Sequence, residues 1–210
     1  MERRVLIADD HCTVRTGLKH ILQGRFSNLE FGESITAAET LKKVRDSRWD
    51  LLILDVEIPG RNGLEVLKQI TVEGIKIPVL VFSFHSEEQI AVRAFRAGAA
   101  GYLSKDAAAT ELLNAIDQIL SGKKYIPSSV AQQLASQIGL LTDKEPHELL
   151  SDREFQILIL ISSGRTISQI SQKLSLCPST ISTYRSRILK KMGLNTSAEL
   201  MNYAMKKQLL

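Results

Sequence analysis

The chain has 210 residues, a formal net charge of +4 and an apolar fraction of 44%, values that are ordinary for globular proteins. No apolar run approaches the roughly 18 residues that a membrane-spanning helix needs, and Asp9 follows the amino terminus too closely for a signal peptide. Cys12 and Cys177 lack metal-ligand spacing, so we expect two reduced thiols. These features predict a cytoplasmic protein with no membrane segment.

Charge is distributed unevenly along the chain. Residues 1–121 have a formal charge of −2, whereas residues 147–210 have a formal charge of +5. Between Glu154 and Glu199 there are six cationic residues and no acidic residue. This asymmetry indicates that only the carboxy-terminal half contacts a polyanion, although a run of cations is also common on a solvated surface.

Residues 1–121 alternate apolar, strand-like runs with amphipathic, helix-like stretches. The predicted strands are 4–8, 29–33, 51–55, 79–83 and 101–104. The predicted helices are 13–23, 36–46, 63–73, 87–97 and 108–121. The third and fourth strands contain continuous apolar runs, as expected for strands buried on both faces of a parallel sheet. Five such units predict an α/β fold, a doubly wound five-stranded parallel sheet of the flavodoxin-like kind.

The remainder of the chain contains sequence signals for the starts and ends of helices. Gly122 ends the fifth helix, and residues 122–146 form the predicted linker, in which 131–141 is compatible with a helix. Residues 147–210 are predicted to form a second, smaller all-α domain. Capping boxes, in which Ser or Thr precedes Glu or Gln by three residues, begin at Ser151, Thr166 and Thr196.

The all-α domain contains a helix-turn-helix pattern, which is a short helix, a tight turn and a longer helix. Pro178 begins the longer helix and Gly193 ends it. In a helix-turn-helix this second helix lies in the major groove of DNA, and we call residues 178–192 the reading helix. A small helical bundle that binds protein through a solvated basic face is the alternative.

Polar residues end several of the predicted strands. Asp9 and Asp10 end the first strand, Asp55 ends the third, Ser83 ends the fourth, and Lys105 follows the fifth. The carboxyl ends of parallel strands meet in one crevice, where ligands bind. Three carboxylates in that crevice repel one another, and Mg²⁺ relieves the repulsion. The lysine and hydroxyl then contact oxygens of a transferred phosphoryl group. Each residue alone has a simpler interpretation as a cap, a strand end or a surface residue, but together they predict a site.

These residues resemble a response-regulator receiver domain over residues 3–121. The resemblance rests on Asp9, Asp10, the segment 55–63, Ser83 and the segment 98–106. It implies that a sensor histidine kinase phosphorylates Asp55, and that Asp9, Asp10, Asp55 and the backbone carbonyl of Glu57 bind Mg²⁺. The residues that it assigns to phosphoryl contact and to the resulting switch are Ser83, Tyr102 and Lys105.

The tail resembles the LuxR-type helix-turn-helix over residues 150–194, so the chain as a whole is similar to the NarL/FixJ group of response regulators. The resemblance implies binding to double-stranded DNA as a homodimer when active, with the final helix supplying part of the dimer contact. The implied base-side contacts are Ser182, Thr183 and Ser186. The implied phosphate contacts are Arg185, Arg187 and Lys190. Cys177 and Ser182 depart from the residues that are common at their positions.

Two other functions are compatible with parts of the sequence. An aspartyl-phosphate hydrolase of the haloacid-dehalogenase type also uses a nucleophilic Asp with Mg²⁺, but such enzymes have a second Asp where this chain has Glu57. A regulator with a degenerate, unphosphorylated receiver would lack part of the acidic set. We therefore expect a transcription regulator and not an enzyme. We further expect the unphosphorylated receiver to hide the reading helix, and Leu200, Met201 and Ala204 either to contact a second copy or to close the core of the tail.

Overall fold

The computed structural model describes residues 3–84, 88–128, 130–131 and 145–210, and the chain divides into two compact units, Met1–Ile138 and Gly139–Leu210. The strands of the first unit are β1 (Arg3–Ala8), β2 (Leu29–Ser34), β3 (Leu51–Leu54), β4 (Val79–Ser83) and β5 (Gly101–Ser104). Its helices are α1 (Cys12–Arg25), α2 (Ala37–Asp46), α3 (Gly63–Val72), α4 (Glu88–Arg96) and α5 (Ala109–Leu120). These bounds lie within two residues of the predicted ones.

The five strands form one parallel sheet in the order β2-β1-β3-β4-β5. This confirms the predicted doubly wound α/β fold. One face of the sheet buries Val5, Ile7 and Ile53 against apolar residues of α1 and α5. The alternate residues, such as Leu6 and Leu52, point to the opposite face. They are also inaccessible to solvent, so both faces of the sheet are covered at these strands. Each fully buried side chain of this kind stabilises the fold by about 1.5–3 kcal/mol.

The strand register determines which residues meet at the carboxyl edge of the sheet. Ala8 of β1 pairs with Leu54 of β3, so the chain leaves both strands at the same level. The backbone ladder continues beyond the strands, since the Asp55 N–H donates to the Ala8 carbonyl oxygen over 2.9 Å and the Lys105 N–H donates to that of Ser83 over 2.8 Å. Asp9, Asp55 and Lys105 therefore leave the sheet on fixed backbone positions.

Gly63, the first residue of α3, lies against the backbone of the strand end. A Cβ atom at this position would lie 2.1 Å from the Asp55 carbonyl oxygen, and the Gly63 N–H donates to the Val56 carbonyl oxygen over 2.9 Å. Because the obstacle is backbone, no side-chain rotation relieves the clash. The start of α3 consequently requires glycine.

We predict that Gly63→Ala lowers the free energy of unfolding of the first unit by about 1–3 kcal/mol, the usual cost of overpacking. Trp49 is the single tryptophan and lies in this unit, so its fluorescence during urea titration reports the unfolding. Gly17→Ala in α1 is the matched control, because a Cβ atom at Gly17 has no neighbour within 4 Å. The control should stabilise by roughly 0.5–1 kcal/mol. Equal urea midpoints for Gly63→Ala and the wild type would contradict the packing account.

The second unit is helical. It contains a 3₁₀ helix (Pro146–Leu149) followed by α6 (Asp152–Ser162), α7 (Ile167–Leu174), α8 (Pro178–Met192) and α9 (Ser197–Lys206). Helix α8 packs on α6 and α7, and α9 packs on α6. Helix α8 coincides with the predicted reading helix, and Gly193 closes it with a φ of 66°. The predicted second, all-α helix-turn-helix domain is confirmed.

Two of the three predicted capping boxes form completely, those at Ser151 and Thr166. At the third, the Thr196 hydroxyl accepts the Glu199 N–H over 3.2 Å, but the Glu199 carboxylate accepts the N–H of Asn195 over 2.7 Å. The predicted hydrogen bond from the Thr196 N–H to the Glu199 carboxylate is therefore wrong. The carboxylate caps the residue before the N-cap, which satisfies a different unpaired N–H at the same helix end.

Leu200 and Ala204 have no exposed surface and close the core of the second unit. A contact with a second copy through these two side chains is excluded in this conformation, so the alternative of core packing holds for them. The predicted helix at 131–141 and most of the predicted linker lie outside the described residues. Tyr125, within that predicted linker, donates its N–H to the Ala100 carbonyl oxygen over 2.9 Å and so follows the edge of the sheet. Among the described residues, no helix is both long and apolar enough to cross a membrane.

Candidate functional site

The crevice at the carboxyl edge of the sheet contains a buried cation between two carboxylates. The Lys105 ammonium nitrogen lies 2.6 Å from an Asp9 carboxylate oxygen and 2.7 Å from one of Asp55. The three side chains are at most 3% exposed. The sequence placed these residues at three different strand ends, and the structure brings them into direct contact.

Burial raises the pKa of Asp55, and the nearby Asp9 carboxylate adds to this effect, while Lys105 and the Glu57 N–H oppose it. For Lys105, burial lowers the pKa, but the Asp55 charge and the hydrogen bonds to both carboxylates raise it on balance. Lys105 therefore stays protonated beside the carboxylates. The site holds more negative than positive charge in a place with little water.

The donor set fits a divalent cation. Carboxylate oxygens of Asp9, Asp10 and Asp55 and a ring nitrogen of His11 all lie within 4.8 Å of one another. Carboxylate oxygen is the ligand that Mg²⁺ prefers. The carboxylates outnumber the single lysine, so their negative charge favours binding of a cation. The Glu57 N–H donates to an Asp55 carboxylate oxygen over 3.1 Å, so the Glu57 backbone adjoins the same group.

The remaining predicted residues of this site are buried nearby in the sheet. Ser83, at the end of β4, has no exposed surface, and Tyr102 in β5 is 4% exposed. Ser83 pairs with Ser104 across the β4–β5 ladder, next to Lys105. The hydroxyl and the lysine thus end neighbouring strands. Because the aromatic ring of Tyr102 is buried, it can move only if the neighbouring side chains repack.

Sequence reasoning missed three residues near the site. The His11 Nδ1 atom lies 2.7 Å from an Asp10 carboxylate oxygen, and His11 directly follows the acidic pair. Phe84 follows Ser83, and its ring centroid lies 4.8 Å from the Lys105 nitrogen. The Arg15 guanidinium donates to the Asp9 carbonyl oxygen over 2.9 Å while its Nε donates to Glu33 over 2.6 Å. Adjacency to the strand ends was a signal for His11 and Phe84, whereas the position of Arg15 depends on the packing of α1 on β2.

Helix α8 presents small polar residues and cations to solvent. Ser182, Thr183 and Ser186 are exposed, and each hydroxyl donates to a backbone carbonyl oxygen one turn earlier over 3.0–3.1 Å. Their lone pairs remain available to an outside donor. Arg187 and Lys190, two of the implied phosphate contacts, are also exposed. The opposite side of α8 is buried and consists of apolar residues, Ile181, Ile188, Leu189 and Met192.

Two cations of the basic tail also hold the helices together. The half-buried Arg185 donates through Nε to the Ser197 hydroxyl at the start of α9 over 2.7 Å. Lys191 pairs with the Glu154 carboxylate over 2.6 Å, and Glu154 is only 5% exposed. Burial raises the pKa of Glu154, but the hydrogen bonds from Lys191 and from Ser151 lower it on balance. Substitution of Arg185 or Lys191 would therefore also disturb the packing of the helices. Arg187 and Lys190 are better residues for testing contacts with a polyanion.

Comparisons with known proteins agree with this two-part arrangement. The response regulator receiver domain matches residues 5–117, and the luxR family of bacterial regulatory proteins matches residues 148–204. The response regulator UvrY of Escherichia coli K12 is 36% identical over 203 residues, which cover 96% of this chain and 93% of UvrY. The response regulator GacA of Pseudomonas viridiflava is 36% identical over 198 residues, which cover 94% of this chain and 92% of GacA.

A solved structure resembles nearly the whole chain. It is RcsB from Salmonella enterica serovar Typhimurium, bound to a promoter in the presence of the phosphomimetic BeF₃⁻. The match has a TM-score of 0.60 and 25% sequence identity, and it covers 97% of this chain and 98% of RcsB.

Proposed function

The chain belongs to the two-component response regulators that join a receiver domain to a LuxR-type DNA-binding domain, and from this premise we propose that phosphorylation of Asp55 controls the binding of DNA by helix α8. Proteins of this family regulate transcription and are not enzymes. The alternative of an aspartyl-phosphate hydrolase is therefore excluded. The observation that carries the assignment of Asp55 is its buried carboxylate, 2.7 Å from the Lys105 ammonium and beside two further aspartates.

The proposed transfer takes a phosphoryl group from a phosphohistidine of a sensor kinase to a carboxylate oxygen of Asp55. The nitrogen–phosphorus bond breaks, and a bond between phosphorus and the Asp55 oxygen forms. Asp9, Asp10, Asp55 and the backbone carbonyl of Glu57 would hold a Mg²⁺ ion, which the donor set supports. The cation would supply positive charge that offsets the carboxylates and the transferred group.

Lys105 is the residue that then pairs with the phosphoryl group. Its ammonium already lies beside the accepting oxygen, so little rearrangement is needed when the negative charge grows. Ser83 and Tyr102 respond to the new group, the hydroxyl by donating to it and the already buried ring by repacking. Because both side chains are buried, such a response requires neighbouring side chains to repack.

In the proposed complex, α8 lies in the major groove of double-stranded DNA. The exposed hydroxyl residues Ser182, Thr183 and Ser186 face the base edges. The cations Arg185, Arg187 and Lys190 contact backbone phosphates. A single module of this size has a small footprint, so two copies bind together at a two-fold site. The promoter-bound structure of RcsB supports the binding of DNA.

We propose that the unphosphorylated receiver lowers DNA affinity by occluding α8, and that phosphorylation shifts the population toward an open form. The second unit has its own core, in which Leu200 and Ala204 are fully buried. A fragment of residues 139–210 retains Glu145, whose carboxylate pairs with Lys207 over 2.6 Å. We expect this fragment to bind DNA without any phosphodonor, and the whole protein to gain affinity only when it is phosphorylated.

The fragment and the whole protein are titrated against the same DNA site by fluorescence anisotropy, with and without acetyl phosphate and Mg²⁺. Binding by the fragment that equals or exceeds that of the phosphorylated protein supports occlusion. A fragment that fails to bind, beside a phosphorylated whole protein that binds well, means instead that the receiver drives dimerisation. Occlusion is then abandoned, while control through Asp55 stands.

A further inference from the structure

The acidic pair at the end of β1 is followed by a third side chain that can bind a metal ion. The His11 Nδ1 atom lies 2.7 Å from an Asp10 carboxylate oxygen and 3.2 Å from one of Asp9. A neutral imidazole has a lone pair on one of its ring nitrogens, so it is a potential ligand. The proposed magnesium site uses only oxygen atoms and leaves this nitrogen without a role.

The surroundings of the His11 ring direct it toward the acidic pair. His11 is the N-cap of α1, but its side chain makes no capping hydrogen bond. Its backbone N–H donates over 2.8 Å to the same Asp9 oxygen that the ring faces. Phe84, which follows β4, meets the imidazole edge-on with ring centroids 6.4 Å apart. The ring is therefore packed beside the carboxylates and not over the first turn of the helix.

The distances among these atoms are close to those between ligands of one metal ion. Two ligands that each lie ~2.1 Å from a metal, at an angle of ~90–110°, are separated by roughly 3.0–3.4 Å. The Nδ1 atom of His11 lies 2.7 and 3.2 Å from the two aspartate oxygens. Lys105 contacts the other oxygen of Asp9, Oδ2, whereas His11 faces Oδ1. A cation bound by Oδ1 would thus leave the contact with Lys105 intact.

We propose that His11 is a nitrogen ligand of this metal site and that it shifts the preference of the site toward Zn²⁺ over Mg²⁺. Mg²⁺ prefers oxygen ligands, whereas imidazole is a good ligand for Zn²⁺. The inference rests on the proposed function, because it takes Asp9 and Asp10 as ligands of the cation. The side chain of His11 is 52% exposed, so an ion reaches it directly from solvent.

A role in positioning alone would have a different signature. A hydrogen bond from the His11 ring that only orients the Asp10 carboxylate raises the affinity for every divalent cation alike. A nitrogen ligand raises the affinity for Zn²⁺ much more than the affinity for Mg²⁺. The ratio of the two affinities therefore separates the two roles.

The test uses the full-length protein without an affinity tag, titrated with Zn²⁺ or with Mg²⁺ in a calorimeter. His11→Ala should weaken the binding of Zn²⁺ about tenfold, or by ~1.4 kcal/mol, and change the binding of Mg²⁺ by less than roughly twofold. His11→Gln keeps an N–H donor for Asp10 but has no imidazole nitrogen, so its Zn²⁺ affinity should also be low. The matched control is His20→Ala, at an exposed histidine of α1, which should behave as the wild type does.

X-ray absorption at the zinc edge identifies the ligand directly. With one equivalent of Zn²⁺, the wild type should show the outer-shell scattering of an imidazole ring. The spectrum of His11→Ala should lack this scattering, and that of His20→Ala should retain it. The wild-type spectrum requires no substitution, so this part of the test does not depend on how well a variant folds.

Imidazole scattering that is absent from the wild type, or that persists in His11→Ala, overturns the inference. It is also overturned if the Zn²⁺ affinity of His11→Ala is unchanged or falls no more than its Mg²⁺ affinity, or if His11→Gln binds Zn²⁺ as the wild type does. Any of these results, beside a wild type that binds Mg²⁺ and takes label at Asp55, leaves the proposed function in place. A wild type that neither binds Mg²⁺ nor takes label refutes the proposed function itself.

Discussion

The Asp55→Asn protein is expected to take up no phosphoryl group from acetyl phosphate, whereas the wild type takes up one. The amide of asparagine has nearly the shape of the carboxylate but is not a nucleophile, so the fold is kept and the chemistry is lost. Wild-type labelling should also require a divalent cation, because Asp9 and Asp10 add negative charge beside the accepting oxygen. Intact mass measures the label, which should be stable in acid and labile in base.

Asp50→Asn is the control for this experiment, because Asp50 precedes β3 at its opposite end from Asp55. Its carboxylate is exposed and accepts the Arg4 N–H over 2.7 Å. This variant should be labelled to the same extent as the wild type. Label that survives in Asp55→Asn, or that forms in the presence of EDTA, would show that another residue or another chemistry is responsible.

Affinity for DNA is expected to fall by about a thousandfold between 50 and 200 mM salt, the loss that accompanies some six phosphate contacts. The predicted contacts Arg185, Arg187 and Lys190 provide six in a dimer. Lys190→Ala should lower the slope of log affinity against log salt by about two in the dimer and should weaken all sequences alike. Thr183→Ala should instead change the preference among bases, since its exposed hydroxyl faces the base edges in the proposed complex.

Lys206→Ala is the matched control, because Lys206 is an exposed lysine near the end of α9 and not a predicted phosphate contact. It should leave the salt slope unchanged. Titrations at several salt concentrations against two unrelated sites separate the two kinds of contact. The assignment of Lys190 to phosphate and of Thr183 to bases is wrong if Lys190→Ala alters base preference without changing the salt slope. It is also wrong if Thr183→Ala weakens binding to both sites equally.

Local sequence signals were sufficient for the fold. The apolar runs at 51–54 and 79–82 are unambiguous because both faces of those strands are buried. Pro178 and Gly193 fix both ends of α8 by backbone chemistry alone. The third capping box failed because Glu199 has two nearby N–H groups to choose from, and spacing does not distinguish the Asn195 N–H from that of Thr196.

The candidate site was predictable as far as it depends on strand ends. Asp9, Asp55 and Lys105 follow β1, β3 and β5, and a parallel sheet brings such positions together. The Phe84 ring above Lys105 was not predictable, because it depends on the direction of a side chain beyond the last paired residue. Nor was the burial of Leu200 and Ala204, since the sequence alone left core packing and contact with a second copy equally open.

The central claim, that the state of Asp55 controls DNA binding, is tested most directly by the occupancy of genomic sites. Sheared genomic DNA is incubated with the full-length protein, with and without acetyl phosphate and Mg²⁺, and the retained fragments are sequenced. We predict that the phosphodonor raises occupancy at a limited set of sites for the wild type and leaves Asp55→Asn unchanged. Equal occupancy of the same sites by wild-type protein without the donor, or an equal gain by Asp55→Asn, would contradict the account.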